Sequence, residues 1–297
     1  MIFADFANYL IHLVRPLYAN HPISNLDLDN EIFALDSTTI SVNINLFTWA
    51  EGKYSRGAVK MHTLIDLRGS IPELIFITDG KNHDSNALDV INFYAGAIYL
   101  MNKAYVDFEA LFRINNASAF FVTRAKENMR YQVIEENFNI DQSVGLRSDK
   151  IIELTLVKSK KLYPEILRIV EIYDERNDEL LTFLTNNLDV SALEVAYLYK
   201  NRWQIEIFFK WIKQNLTVKK LWGHSQNAVK IHLWVAICSH LIVAYVKHLT
   251  KSPLSIYQVM QVLNTSLFDK TPLIKLLNVN EKIQIVENQE VKELLLF

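Results

Sequence analysis

Between Ile32 and Val122 the hydrophobic pattern passes from strands alone to helix and strand in alternation, and that change limits the folds open to the chain. Ile32 to Leu35 is a short apolar run that ends at Asp36. Ala58 to Ile65 alternates apolar and polar residues, Leu67-Arg68-Gly69-Ser70 carries turn residues, and Leu74 to Ile77 is apolar again. Alternation with a period of two marks strands, and two strands joined by a short turn pair antiparallel. From His83 to Tyr94 the spacing is helical, with Leu88, Val90, Ile91 and Phe93 free to pack. Ala97 to Met101 is strand-like and ends at Asn102, Phe108 to Ile114 is helical, and Ala119 to Val122 is strand-like. Three antiparallel strands followed by alternating helix and strand predict a mixed sheet with helices on its faces.

The flanking segments differ in texture. Ile2 to Ala19 has helical spacing, with Phe3, Phe6, Leu10, Leu13 and Val14 on one face. From Tyr131 to about Val190 the chain is β-rich, with strands expected over Ile151–Val157, Ile166–Tyr173 and Leu180–Leu184 and a polar turn at Asp174–Asp178. Helical pattern returns at Leu193 and continues to the C-terminus. Half of the 297 residues are hydrophobic, enough for a sizeable core, and seven glycines and six prolines leave no low-complexity linker. The single cysteine, Cys238, excludes a disulfide framework and a cysteine-based zinc site. Ala228 to Leu249 nears membrane-spanning length, but Lys230, His232, His240 and Lys247 would be costly in lipid, so a buried core helix is expected and no membrane partner. No signal peptide is recognisable, which makes the cytoplasm the expected compartment. A net charge of −2 argues mildly against a generic nucleic-acid binder, although basic residues gather at Arg124–Lys126, Lys158–Lys161, Lys210–Lys213 and Lys219–Lys220.

One segment carries concentrated chemistry. Tyr199, Arg202, Glu206 and Lys213 are spaced by three, four and seven residues. On a continuous α-helix these positions fall within an arc of about 60°. One stripe then presents a phenol, two cations and a carboxylate, while Ile205, Phe208 and Ile212 dock the helix on a core. By itself this is also the pattern of an ordinary amphipathic helix with a Glu206–Lys210 pair. The same Tyr–Arg–Glu–Lys spacing resembles the signature of DDE transposases of the insertion-sequence-four type. Other segments match in order: Ala34-Leu35-Asp36-Ser37-Thr38-Thr39 resembles the family's first catalytic strand, Gly57–Thr63 its second strand, and Thr78–Asp84 the segment after its third. The β-rich insertion also fits, and the resemblance runs from about Phe3 to Val246.

The resemblance implies a ribonuclease-H-like α/β fold: a mixed five-stranded sheet flanked by helices, a β-rich insertion before the glutamate-bearing helix, and a helical C-terminus. The expected organisation is a helical remnant at 1–30, the first part of the core at 31–125, the insertion at 126–190, the catalytic helix and the rest of the core at 191–250, and a C-terminal helical region at 251–297. It implies cleavage and strand transfer of double-stranded DNA at the terminal inverted repeats of an insertion sequence. Two Mg²⁺ ions, replaceable by Mn²⁺, would be held by Asp36, the residue at 102 and Glu206. Tyr199, Arg202 and Lys213 would contact phosphates. The acting form would be a homodimer in a synaptic complex, in a prokaryotic cytoplasm and nucleoid-associated when bound to DNA.

Two departures stand out. The strand Ile98-Tyr99-Leu100-Met101 runs into Asn102-Lys103-Ala104-Tyr105, so the family's second carboxylate is an amide here. Asn is nearly isosteric with Asp but lacks the negative charge, so the chain is expected to be inactive or severely impaired. Asp84 and Asp107 are the nearest acids in sequence, and neither is expected at a strand end beside Asp36. Only 35 residues precede Asp36, where the family carries a DNA-recognising helical domain, so an N-terminally truncated copy is expected. The competing functions are a non-catalytic remnant that binds DNA or inhibits an intact relative by dimerising, and a simple nuclease. The insertion argues against the nuclease. Some relatives stack a flipped base on an aromatic, and Tyr131, Phe138, Tyr163, Tyr173 and Phe183 remain open candidates here. Trp203 and Trp211 are expected to be packing residues.

Overall fold

The computed structural model describes residues 2–43, 45, 49–50, 57–81, 83–215, 223–266, 268 and 270–278. The basic pair Lys219–Lys220, Asn82 of the Thr78–Asp84 segment and the end of the C-terminal region lie outside them. The chain divides into two compact units, one from the described residues of Met1–Leu17 and Trp234–Phe297, the other Tyr18–Leu233.

In the first unit, α1 (Ile2–Val14) buries Ala7, Leu10, Ile11 and Val14. Phe3, Phe6 and Leu13, expected on the packed face, are partly exposed, so the buried stripe is rotated from the predicted one. The larger part of α6 (Gln226–Thr250), together with α7 (Ile256–Thr265) and α8 (Leu273–Leu277), packs around Val243, Val259 and Leu277. α6 is long and apolar enough to cross a membrane by length and composition, and 56% of its most apolar window is buried within the protein.

The second unit holds the sheet. β1 (Ile32–Val42), β2 (Gly57–Asp66) and β3 (Ile71–Asp79) form an antiparallel meander. The turn between β2 and β3 places Gly69 at φ +80°, against the Tyr18 ring, where a Cβ would clash. Arg68 secures this turn by donating to the carbonyls of Ala19, Asp29 and Asn30. β4 (Ile98–Met101) and β5 (Phe120–Arg124) then add in parallel, with α2 (Phe108–Asn116) between them. Asp107 caps α2 by accepting from the Glu109 and Ala110 amides. These five strands lie in the order β3-β2-β1-β4-β5, the ribonuclease-H-like arrangement expected.

The insertion departs from the expected layout in two ways. It contains four strands, β6 (Tyr131–Glu136), β7 (Leu146–Leu154), β8 (Leu167–Asp174) and β9 (Glu179–Thr185), with the short α3 (Val157–Leu162) between β7 and β8. β6 escaped the sequence pattern because it is an exposed edge strand without clean alternation. The insertion is also not separate from the core sheet. β9 pairs antiparallel with β5, giving one nine-stranded sheet in the order β3-β2-β1-β4-β5-β9-β8-β7-β6. A continuous apolar layer follows, from Phe33 and Tyr99 through Phe121 and Leu184 to Ile152 and Leu154. The expected helix at His83–Tyr94 is only a 3-10 turn, Asp84–Asp89, capped by His83. Asp, Ser and Asn at 84–86 compete for backbone hydrogen bonds and disfavour a longer helix.

The other face of the sheet carries α4 (Ala192–Asn201) on β5, β7 and β8, and α5 (Trp203–Asn215) on β1. Ser191 opens α4 with a capping box: its hydroxyl accepts from the Glu194 amide, and Glu194 accepts from the Ser191 amide. The approach to α4 is fixed by Arg168 of β8. Its guanidinium pairs with Asp149 of β7 at 2.7 and 3.0 Å and donates to the Val190 carbonyl at 2.6 Å, with both charged side chains buried. Removing one partner of such a pair leaves an uncompensated buried charge. We therefore expect Arg168→Ala to cost roughly 3–5 kcal/mol in urea unfolding. A loss below about 1 kcal/mol, the range of exposed pairs, would contradict this account.

Candidate functional site

β1 and β4 pair in parallel up to Leu35 and Met101. The next residues on the two strands are Asp36 and Asn102, so the end of the ladder sets them side by side. Asp36 is not at the end of β1, as the sequence suggested. β1 continues to Val42, paired with β2 alone among the described residues, and it is β4 that stops. The Asn102 side chain donates to Asp36 Oδ1 at 2.9 Å, and its Oδ1 accepts from the Ala104 amide at 2.8 Å, capping the 3-10 turn Lys103–Tyr105. Reversing the amide would set its NH₂ against an N–H and its oxygen against a carboxylate. These two neighbours therefore fix the orientation, with an N–H pointing at Asp36.

Tyr199, Arg202 and Glu206 do not lie on one unbroken helix. α4 ends at Asn201, Arg202 is its C-cap, and α5 begins at Trp203. The junction is held from outside: Asn201 donates to the Ser24 carbonyl at 3.0 Å, and Ser70 donates to Gln204 at 2.8 Å. Despite the break, the side chains converge. Arg202 bridges the two acids, with Nη1 3.1 Å from Asp36 Oδ2 and Nη2 2.6 Å from Glu206 Oε1. Its guanidinium carbon lies 5.4 Å from the centre of the Tyr199 ring. The helix docks through Ile205, Phe208, Trp211 and Ile212, all buried, whereas Trp203, expected to pack, is half-exposed. Lys213 is exposed on a groove of about 500 Å³ that Asp36, Thr38, Glu206 and Phe209 also line, without polar contact to the other candidates.

A second polar cluster was missed by the sequence analysis. Ser37, next to Asp36, donates to Asp84 Oδ1 at 2.5 Å, and Lys60 of β2 reaches the same oxygen at 3.1 Å. The signal lay in the polar residues of Gly57–Thr63 and Thr78–Asp84, which interrupt otherwise apolar strands. Asp107, by contrast, is a helix cap. His62, fully buried, stacks on Phe76 at 4.6 Å. His62 Nε2 lies 3.1 Å from the Thr78 hydroxyl, and Nδ1 is buried with no hydrogen-bond partner among the described residues.

As arranged, the residues do not fit a pair of divalent cations. Asn102 offers Asp36 a donor, its oxygen is committed to the Ala104 amide, and a guanidinium stands between Asp36 and Glu206. Among the described residues no group of three or more His, Cys, Asp or Glu side chains is placed to hold a metal.

Comparison with known proteins bears on the same segments. The family model described as the transposase DDE domain matches residues 27–242. The chain is 30% identical over 239 residues to the putative transposase y4zB of Sinorhizobium fredii, covering 80% of this chain and 66% of that one. It is 29% identical over 218 residues to the probable transposase for insertion sequence element IS5377 of Geobacillus stearothermophilus, covering 73% and 57%. It is 27% identical over 219 residues to the putative transposase for insertion sequence element IS4SA of Synechocystis, covering 71% and 59%. The chain thus spans about two thirds or less of the length of these relatives.

Two buried groups near β1 titrate with opposite effects on stability. Burial raises Asp36 from 3.8 to about 6, outweighing the Ser37 amide and Arg202. The native state then holds a proton that the unfolded chain has lost, so this contribution falls as pH rises through about 6. Burial lowers His62 from 6.5 to about 4, so its contribution is present above pH 6.5 and lost as pH falls through about 4. Each is on the order of 2–3 kcal/mol, and they oppose one another between these limits. We expect Asp36→Asn to leave stability rising with pH across this window, and His62→Gln to leave it falling. Urea unfolding at intervals from pH 4 to 6.5 tests this, and parallel profiles for both variants and the parent chain would refute it.

Proposed function

The chain belongs to the transposase family defined by the DDE domain, and from that membership we propose that its reaction is cleavage and strand transfer of DNA at the ends of an insertion sequence. Asp36, Asn102 and Glu206 are the three catalytic positions in this proposal, and the reaction is severely impaired because position 102 holds an amide. Tyr199, Arg202 and Lys213 contact phosphates of double-stranded DNA at the terminal inverted repeats, and the acting form is a homodimer. Members with a carboxylate at 102 would use Mg²⁺ or Mn²⁺ held by oxygen ligands.

The observation that carries the proposal is the hydrogen bond from Asn102 to Asp36. It occupies the position where a second carboxylate would need a shared cation. An Asp at 102 would keep one oxygen on the Ala104 amide and turn the other toward Asp36. Two anions at that distance repel unless a cation lies between them. The substitution therefore removes the reason for a metal together with the means of holding one.

Asn102→Asp supplies the test. Its thermal stability should be lower than that of the parent chain without divalent ions and should rise on adding Mg²⁺ or Mn²⁺. The parent chain should show no such response. On DNA bearing the cognate repeats, strand transfer should rise by about 10²-fold or more, the scale of one lost electrostatic contact in a transition state. Equal metal response in both chains, or efficient transfer with Asn at 102, would overturn the assignment.

A second reading, a DNA-binding remnant that inhibits intact relatives through mixed dimers, is favoured by one observation. Lys213 faces the groove with no ion-pair partner among the described residues, so a cation for phosphate remains where the carboxylate set is incomplete. Under this reading the parent chain binds the repeats and suppresses transfer by Asn102→Asp when mixed with it. Failure to bind the repeats removes it.

A further inference from the structure

The insertion reaches the site through one aromatic side chain. Of its five candidate aromatics, Phe138 is 84% exposed and Tyr131 is partly exposed, Tyr173 is tied to Asp178 and Arg147, and Tyr163 belongs to the core beneath α2. Phe183 is 1% exposed, which leaves no room for a base to stack on it. It sits on β9 opposite Arg124 of β5, at the seam where the insertion joins the core sheet. Its ring centre lies 4.9 Å from that of Tyr199, tilted by 40°. Tyr199 in turn lies under the guanidinium of Arg202.

The bonding of Arg202 shows why this matters. Nη1 and Nη2 each bond one carboxylate, but Nε is buried with no hydrogen-bond partner among the described residues. The fork is therefore fixed at its two ends and not at its stem. Beside the stem lies the Tyr199 ring, 5.4 Å from the guanidinium carbon, and that ring in turn packs on Phe183. Arg202 also sits at the junction between α4 and α5, where its backbone stays helical (φ −55°, ψ −28°) and its amide bonds the Tyr199 carbonyl at 3.1 Å, so the ring and the guanidinium rise from the same turn.

We propose that Phe183 is a positioning residue, which holds the Tyr199 ring so that the Arg202 guanidinium spans Asp36 and Glu206. The proposal rests on the reading of Arg202 as part of the site. It gives the insertion a mechanical task in place of base stacking: presenting one tilted ring to the platform beneath an arginine. Phe183 is buried against Tyr199 and acts through it.

The test is the side-chain Nε–Hε resonance of Arg202 in the full chain, labelled with ¹⁵N and assigned by its loss in Arg202→Lys. Over an aromatic face this resonance carries a ring-current displacement. Tyr199→Ala should abolish the displacement, and Tyr199→Phe, which keeps the ring, should retain it. Phe183→Leu and the milder Phe183→Met should each shift the resonance toward its Tyr199→Ala position. Leu184→Ala, on the opposite face of β9 in the apolar layer, controls for loss of stability alone and should leave it in place. An unshifted resonance in both Phe183 variants overturns the proposal, as does an equal shift in Leu184→Ala. DNA affinity, measured alongside, separates the two readings. Unchanged binding by Arg202→Lys and Arg202→Ala would remove the phosphate role of Arg202 and leave the spectroscopic result standing.

Discussion

Parallel pairing between β1 and β4 lasts four residues and stops at Leu35 and Met101, and the rest of the site is arranged around that stop. While the ladder runs, backbone groups satisfy one another and side chains only pack. Beyond it, β1 goes on with one neighbour and β4 turns away. The amide of Ala104 and the carboxylate of Asp36 are then both left in need of partners in a half-buried place. Asn102 serves both with one side chain, because its two ends have opposite polarity. A carboxylate could serve only the first.

Charge around Asp36 is compensated on both faces of β1. On one face Arg202 joins Asp36 to Glu206. On the other, Lys60 and the Ser37 hydroxyl converge on Asp84. Burying this many charges costs free energy that packing of apolar groups would not, which is why such groups gather where a protein needs chemistry more than stability. Within this arrangement Asp36 is still held above its ordinary value by burial, so the arginine does not fully offset the loss of water.

Much of this was legible in the sequence, for identifiable reasons. The five core strands announced themselves by period and by the turn at Arg68-Gly69, and their succession along the chain pointed to a mixed sheet. Tyr199, Arg202 and Glu206 stood out by spacing and Asp36 by the resemblance of its strand, and the four side chains do converge. What spacing could not give was the break at Arg202, because Asn201 and Gln204 are tied by Ser24 and Ser70, far away in sequence. The 3-10 turn at Asp84–Asp89 looked helical because its apolar residues have helical spacing, while the short polar side chains beside them favour a turn. The Lys60–Asp84 pair was hidden because a lysine in an alternating strand reads as a solvent-facing residue, whereas Lys60 is buried. β6 was invisible because an edge strand need not bury either face.

The seam between β5 and β9 bears on how such a chain can change over generations. An insertion usually sits in a loop and can be lengthened, shortened or lost with little effect on the body of the protein. Here the inserted residues supply the neighbour that closes one side of the core sheet. Excising them would uncover β5 as a bare edge, with open amides and carbonyls beside an apolar layer that had run on into the insertion. The shorter protein would be prone to stick to copies of itself, and α4 would lose β7 and β8, on which it packs. Descent by simple deletion is therefore blocked, and a compact relative would have to arise by re-facing that edge first.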